Sequence, residues 1–273
     1  MDDGFVPKRV LITGAAGAVG SVLREGLQSH YDHLRLTDIA SLGEAGKGEE
    51  LITADITDEV SLDAAMADVD CVVHLAGIAD EANWDRVLSL AIDGCYKVFE
   101  AARRAGFRRI VYASSNHAIG FYRREQSVDT KAPLRPDGRY GVSKAFGEGL
   151  GRMYADKYGM SVACVRIGSF RALPEDRRQL MTWISHRDTV QLFRRCIEHP
   201  DYHFMVIYGV SNNTRNAWDN SKVDWLGYRP QDNAEDHVES LMAQPNQEDA
   251  IARIYHGGSF CSAEFSGNTE NID

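Results

Sequence analysis

Arg9-Val-Leu-Ile-Thr13 runs directly into Gly14-Ala-Ala-Gly17-Ala-Val-Gly20, and residues 9–20 decide how the rest of the chain is read. A short apolar run bounded by glycine predicts a buried strand. Glycines at 14, 17 and 20 then predict a tight turn into a helix over about 19–28. Without a Cβ at these positions the backbone can approach a pyrophosphate at the helix N-terminus, so Ala16, Ala18 and Val19 join the three glycines as expected cofactor contacts. The same spacing also makes a plain strand–helix corner. Asp38 tips the balance. It closes a second predicted strand, 33–37, where a carboxylate accepts hydrogen bonds from adenosine ribose hydroxyls and repels a 2′-phosphate. Ile39, Ala40 and Ser41 follow it, with no arginine, which favours NAD over NADP.

Working outward, further strands are predicted at 50–54, 71–75, 109–113 and 161–167, alternating with helices at 60–67, at 84–105 and around Tyr140. Such alternation predicts an α/β fold, a Rossmann-type doubly wound parallel sheet covered on both faces. Asp55 and Ile56 after the third strand would flank the adenine. Leu75, Ala76 and Gly77 after the fourth would pass beneath the cofactor, and Ile167 would end the sixth strand beside it. Beyond Gly168 the alternation fades. Residues 1–168 are expected to form the dinucleotide-binding core, and 169–273 a small substrate-binding lobe over the carboxyl edge of the sheet, not independently folded.

The 273 residues are 44% apolar and 26% charged, ordinary values for a globular chain. A formal charge of −10 argues against nucleic acid or anionic membrane as the main partner. No apolar run approaches a membrane span, and the N-terminus lacks signal-peptide character. Five widely spaced cysteines without a CxxC pair predict reduced, buried thiols in a cytoplasmic protein and no metal site.

Tyr140 and Lys144 share one face of a predicted helix, four residues apart. A Lys ammonium beside a phenol would lower its pKa, making Tyr140 a general base for a hydroxyl proton. Ser115, at a strand end, would hydrogen-bond the substrate oxygen. The expected chemistry is oxidation of an alcohol.

With these motifs in register, the chain resembles the extended short-chain dehydrogenase/reductases over nearly its whole length. Ala113-Ser-Ser-Asn-His-Ala-Ile-Gly120, Tyr140-Gly-Val-Ser-Lys144, Arg166-Ile-Gly-Ser169, Thr182-Trp-Ile-Ser-His186 and Ala217-Trp-Asp-Asn220 are similar to strings of the uronate dehydrogenases. Those enzymes oxidise the anomeric carbon of a uronate with NAD, giving an aldarolactone. Leu226-Gly-Tyr-Arg-Pro-Gln-Asp-Asn233 and the Ser-Ser-Asn-His-Ala stretch are also similar to the haloarchaeal NAD-dependent glucose-6-phosphate dehydrogenases. The resemblance implies Ser115, Tyr140 and Lys144 as the catalytic trio, with Lys144 also on the nicotinamide ribose. It implies Asn116, His117 and Ser169 on sugar hydroxyls and Arg178 on the substrate carboxylate, with Arg177 as the competing neighbour. Two positions depart from it: Ala79 stands where a serine is usual, and Ala91 where an asparagine is usual.

The expected function is therefore NAD-dependent oxidation of an anionic sugar. A sugar-phosphate or neutral aldose dehydrogenase is the alternative, and a non-catalytic NAD-sensing regulator a minor one. By analogy, the helices at 84–105 and 144–158 are expected to pair with a second subunit in a homo-oligomer.

Overall fold

The computed structural model describes residues 7–272. Five strands alternate with helices in the first part: β1 (Arg9–Thr13), α1 (Ala18–Leu27), β2 (His33–Asp38), β3 (Glu49–Thr53), α2 (Glu59–Met66), β4 (Cys71–His74), α3 (Trp84–Arg86), α4 (Gly94–Arg104) and β5 (Arg109–Ser115). A short β6 (Val128–Asp129) precedes α5 (Arg139–Tyr158) and β7 (Ser161–Ile167). Then come β8 (Ser169–Phe170), α6 (Gln179–Thr182), β9 (Trp183–Ile184), α7 (His186–Glu198), β10 (Phe204–Gly209) and β11 (Trp218–Asp219).

Seven strands form one parallel sheet in the order β10-β7-β5-β4-β1-β2-β3. The chain moves outward from β1 to β3, then returns to place β4 on the other side of β1. That reversal opens a crevice at the carboxyl ends of β1 and β4, where open α/β sheets bind ligands. The sheet draws its seventh strand from beyond Gly168: β10 pairs along β7 from Phe204↔Val162 to Gly209↔Ile167. It is therefore not confined to residues 1–168. Helix α7 lies on it as well, through Leu192, Phe193, Cys196 and Ile197.

Alternation along β1 divides the core. Val10 and Ile12 pack with α1 and α7, whereas Leu11 packs with Leu62 of α2, Val98 and Phe99 of α4 and Tyr154 of α5. The single helix expected over 84–105 is interrupted, because residues Val87–Asp93 between α3 and α4 form a π-helical segment. Such wide turns are rare and frequently lie at functional sites. Among the described residues, no helix is long and apolar enough to cross a membrane. The five cysteines are buried and free.

Helix α5 is seated on the sheet by a buried ion pair. Glu148 accepts both Nε and Nη2 of Arg166 on β7 at 2.8 Å, and the Ser114 hydroxyl of β5 at 2.6 Å. Both partners of the pair are almost wholly buried. Gly147, the residue before, permits the close approach, since a Cβ there would collide with the Tyr112 ring. Glu148→Ala leaves an unpaired buried guanidinium and should cost roughly 3–5 kcal/mol in urea unfolding. Adding Arg166→Met should recover much of that loss, because the uncompensated charge is then gone.

Candidate active site

A cleft of about 810 Å³ runs along the carboxyl edge of the sheet, and it gathers every residue named from sequence for cofactor and substrate. At one end lies the glycine turn. Gly14 has φ +72°, and a Cβ on it would lie 2.7 Å from the Ala76 nitrogen of the neighbouring loop. A Cβ on Gly20 would collide with the Gly14 carbonyl. Helix α1 starts at Ala18 with no side-chain cap and no acidic residue in its first turn. Its free N–H groups and dipole face the cleft, beside exposed Ala16, Gly17 and Ala18 and half-buried Val19. A pyrophosphate fits that cradle.

Asp38 ends β2 at the same rim, its two oxygens accepting from the backbone N–H groups of Ala16 and Ala40 at 3.0 Å each. Asp55 closes an Asx turn onto Thr57. Ile56 is buried next to it. The loop after β4 hangs from Thr13: Leu75 N–H donates to its carbonyl and Ala76 N–H to its hydroxyl. Gly77 and Ala79 lie exposed on that loop, and Ile167 sits half-buried at the end of β7. Among the described residues, the arginines that line the cleft are Arg171 and Arg178, which lie with Ser169 and Gln179 and not with Asp38.

Tyr140 and Lys144 point from α5 into the middle of the cleft, both more than nine-tenths buried. Lys144 Nζ donates to the Ala113 carbonyl of β5 at 2.8 Å and stands 5.4 Å from the Tyr140 ring centroid. Ser115 lies beside the phenol, and its hydroxyl accepts the His117 N–H at 3.2 Å. Helix α5 begins at Gly138, which has no side chain to cap it. Glu81 caps it instead, accepting from the backbone N–H groups of Arg139 and Tyr140 at 3.1 and 3.0 Å.

The electrostatics differ from the sequence expectation. Burial pushes the Tyr140 phenol up to about 12, outweighing the Ser115 hydrogen bond that pulls it down. Burial also lowers the Lys144 ammonium to about 8. Lys144 was expected to acidify Tyr140, but desolvation is the larger effect on both groups. Ile78, Val87 and Ala91 of the π-helical segment and its facing loop pack with Tyr140 as an apolar cluster.

The substrate end is built around Arg178. Its Nε donates to the His256 carbonyl at 2.8 Å and its Nη1 to the Ser169 hydroxyl at 3.3 Å. Asn116, oriented by the network so that its amide donates to the Ile167 carbonyl at 3.1 Å, accepts Arg178 Nη2 at 2.9 Å. Arg177 turns the other way, onto the Met242 and Gln244 carbonyls. The two adjacent arginines are thus separated: Arg178 lines the cleft and Arg177 does not. Ser169 also shares a hydrogen bond with Thr182 at 2.8 Å.

Three residues here were not anticipated. Phe260 stacks on His117, ring centroids 3.8 Å apart, and Gln179 completes the wall. Asp137 sits behind His117. Phe260 arrives from far along the chain, and the only hint of it was the glycine pair 257–258 before an aromatic.

Lys144 supplies a test of the buried charge. Below pH 8 folded and unfolded chains both hold its proton, so the fold bears the full desolvation penalty. Between about 8 and its ordinary value of 10.5 the folded chain releases the proton first, and stability rises with pH. A difference of that size corresponds to roughly 3 kcal/mol. Lys144→Met should therefore stabilise the cofactor-free protein at pH 7, by up to about that amount less the lost Ala113 bond. The gain should vanish near pH 10.5 in urea titrations.

Residues 10–184 match the NAD dependent epimerase/dehydratase family. A uronate dehydrogenase from Pseudomonas putida is 41% identical over 257 residues, covering 93% of this chain and 96% of that protein. The NAD-dependent glucose-6-phosphate dehydrogenase of Haloferax volcanii is 39% identical over 247 residues, 82% of this chain and 94% of that one. The crystal structure of a tyrosine-to-alanine variant of uronate dehydrogenase from Agrobacterium tumefaciens, complexed with NAD, superposes with a TM-score of 0.89. It is 43% identical, with 93% of this chain and 97% of that chain covered. On the glycine turn, the parallel sheet and this similarity, the chain belongs to the NAD dependent epimerase/dehydratase family.

Proposed function

We propose that this protein is an NAD-dependent uronate dehydrogenase, oxidising the anomeric hydroxyl of a cyclic sugar acid to an aldarolactone. The observation that carries the substrate class is Arg178. Its three hydrogen bonds all go to neutral oxygens, and burial pushes the guanidinium below its ordinary value. A partly buried cation held this way is stabilised by an anionic ligand, and its planar fork matches a carboxylate.

NAD, when bound, supplies the hydride acceptor. The glycine turn and α1 N-terminus would hold its pyrophosphate, Asp38 its adenosine ribose and Lys144 its nicotinamide ribose. Ser115 positions the reacting hydroxyl and Tyr140 takes its proton. Tyr140 takes that proton as the phenolate, so the phenol, pushed up to about 12 by burial, must first release its own proton to solvent, and the Lys144 ammonium 5.4 Å from the ring favours the anion. Residues 169–273, carrying Ser169, Arg178 and Phe260, act as the substrate-binding part. Similarity to the Haloferax volcanii enzyme and the fork of Arg178 support a sugar phosphate as the second reading. A silent NAD sensor is disfavoured by the intact Tyr140–Lys144 pair.

The five buried thiols fit a reducing compartment, and we place the protein in the cytoplasm. We also infer a homo-oligomer. Exposed Trp84, Leu88 and Tyr96 on one helical stretch, and Val142, Phe146 and Met153 on α5, form apolar stripes at helical spacing.

NADH formation over galacturonate, glucuronate, glucose 6-phosphate, glucose and galactose tests the assignment. Turnover of a uronate but not its neutral parent sugar is expected; turnover of the phosphate alone would replace this reading with the second. Arg178→Lys should raise KM for the uronate at least about tenfold, the fork being lost while the charge stays. Tyr140→Phe should lower kcat by roughly 10²–10⁴ while NAD binding persists.

A further inference from the structure

We propose that Asp137 is a positioning residue, which holds His117 as the Nδ1–H tautomer and thereby presents Nε2 to the substrate as a hydrogen-bond acceptor. The proposal rests on the reading of the cleft as a sugar site. Asp137 has a side chain with no solvent exposure, and its Oδ2 lies 2.6 Å from His117 Nδ1. A buried carboxylate is costly unless paired. The fold makes room for this one, because a Cβ at Gly120 or at Gly257 would collide with Oδ2. Its other oxygen finds no hydrogen-bond partner among the described residues. Among the described residues, the other hydrogen-bond contact of Oδ2 is the more distant Cys261 thiol, at 3.9 Å.

An ionised carboxylate only accepts, so the shared proton belongs to Nδ1 of the imidazole. Two further contacts stop the ring from turning. Phe260 stacks on its face at 3.8 Å and 24°, and Tyr140 meets its edge at 5.7 Å and 63°. The backbone closes the arrangement, Asp137 N–H donating to the His117 carbonyl at 3.3 Å.

Nε2 lies across the ring from Nδ1 and so faces away from Asp137, in a residue that lines the cleft. In the neutral ring it is the acceptor. Its neighbours are already engaged elsewhere at one or more atoms. Arg178 only donates. The Asn116 amide is engaged at both atoms, by Ile167 and Arg178, and the Ser115 hydroxyl accepts the His117 N–H. A sugar ring hydroxyl is a donor of the kind Nε2 would take.

The experiment is a long-range ¹H–¹⁵N correlation spectrum of the full-length protein labelled with ¹⁵N-histidine, in excess NAD, with His117 assigned by its loss in His117→Gln. The wild type should show a neutral ring protonated at Nδ1. Asp137→Asn can donate to Nδ1, so the ring should switch to the Nε2–H form. kcat/KM for the best sugar should then fall about 10–100-fold, with NAD affinity and thermal midpoint little changed. In a His117→Gln background the same substitution should add almost nothing. A wild-type ring protonated at Nε2 overturns the proposal, and this measurement stands even if Asp137→Asn does not fold. So does a switched tautomer with unchanged kcat/KM. Absence of uronate turnover by the wild type would instead count against the proposed function, leaving the tautomer result to judge Asp137.

Discussion

The seating of α5 against β5 and β7 is the constraint on which the cleft depends. Lys144 and Glu148, one turn apart on a single helix face, are both buried, and each finds its partner on the strands beneath. Lys144 donates to the Ala113 carbonyl, while Glu148 holds Arg166 and Ser114. These bonds have little freedom, since a buried charge that loses its partner costs several kcal/mol. They fix the rotation of α5 about its axis and its distance from the sheet. Tyr140, on the turn before Lys144, then has one place to stand. Glu81 reinforces that placement through the helix's first N–H groups.

The chain carries a net charge of −10, yet two positive groups of its cleft, Lys144 and Arg178, have no direct carboxylate partner among the described residues. Lys144 hydrogen-bonds a carbonyl, and Arg178 bonds two side-chain oxygens and a carbonyl. Surface charges act on these groups across solvent that screens beyond about 10 Å, whereas a bound anion meets them directly. Net negative charge and an anionic substrate are thus compatible, because the local arrangement decides binding.

Much of this was legible in sequence where the signal is local. The glycine turn, Asp38 and the first six strands each rest on short runs and their neighbours. The seventh strand, Phe204–Gly209, is an apolar run of the same kind, but it lies among turn signals and pairs with β7 only in three dimensions. The choice between Arg177 and Arg178 turned on which side chain faces inward at the start of α6, which adjacency in sequence cannot say. The Phe260–His117 stack joins segments far apart in the chain, and the Asp137–His117 contact bridges a twenty-residue loop. The direction of the Tyr140 shift depends on burial, and burial is a property of the packed fold.

The same packing accounts for Ala91. On sequence resemblance, Ala91 stands where an asparagine is usual. Ala91 is 7% exposed, within the π-helical segment, where it and Val87 pack with Ile78 and Tyr140. A polar side chain enclosed there would need its own partner, and the cluster around the ring is apolar. Alanine leaves no group unsatisfied. The consequence appears at the phenol, which loses solvation and keeps its proton more firmly. The Ala113 carbonyl holds the Lys144 ammonium 5.4 Å from that ring, so the apolar wall and the buried ammonium meet at the same phenol.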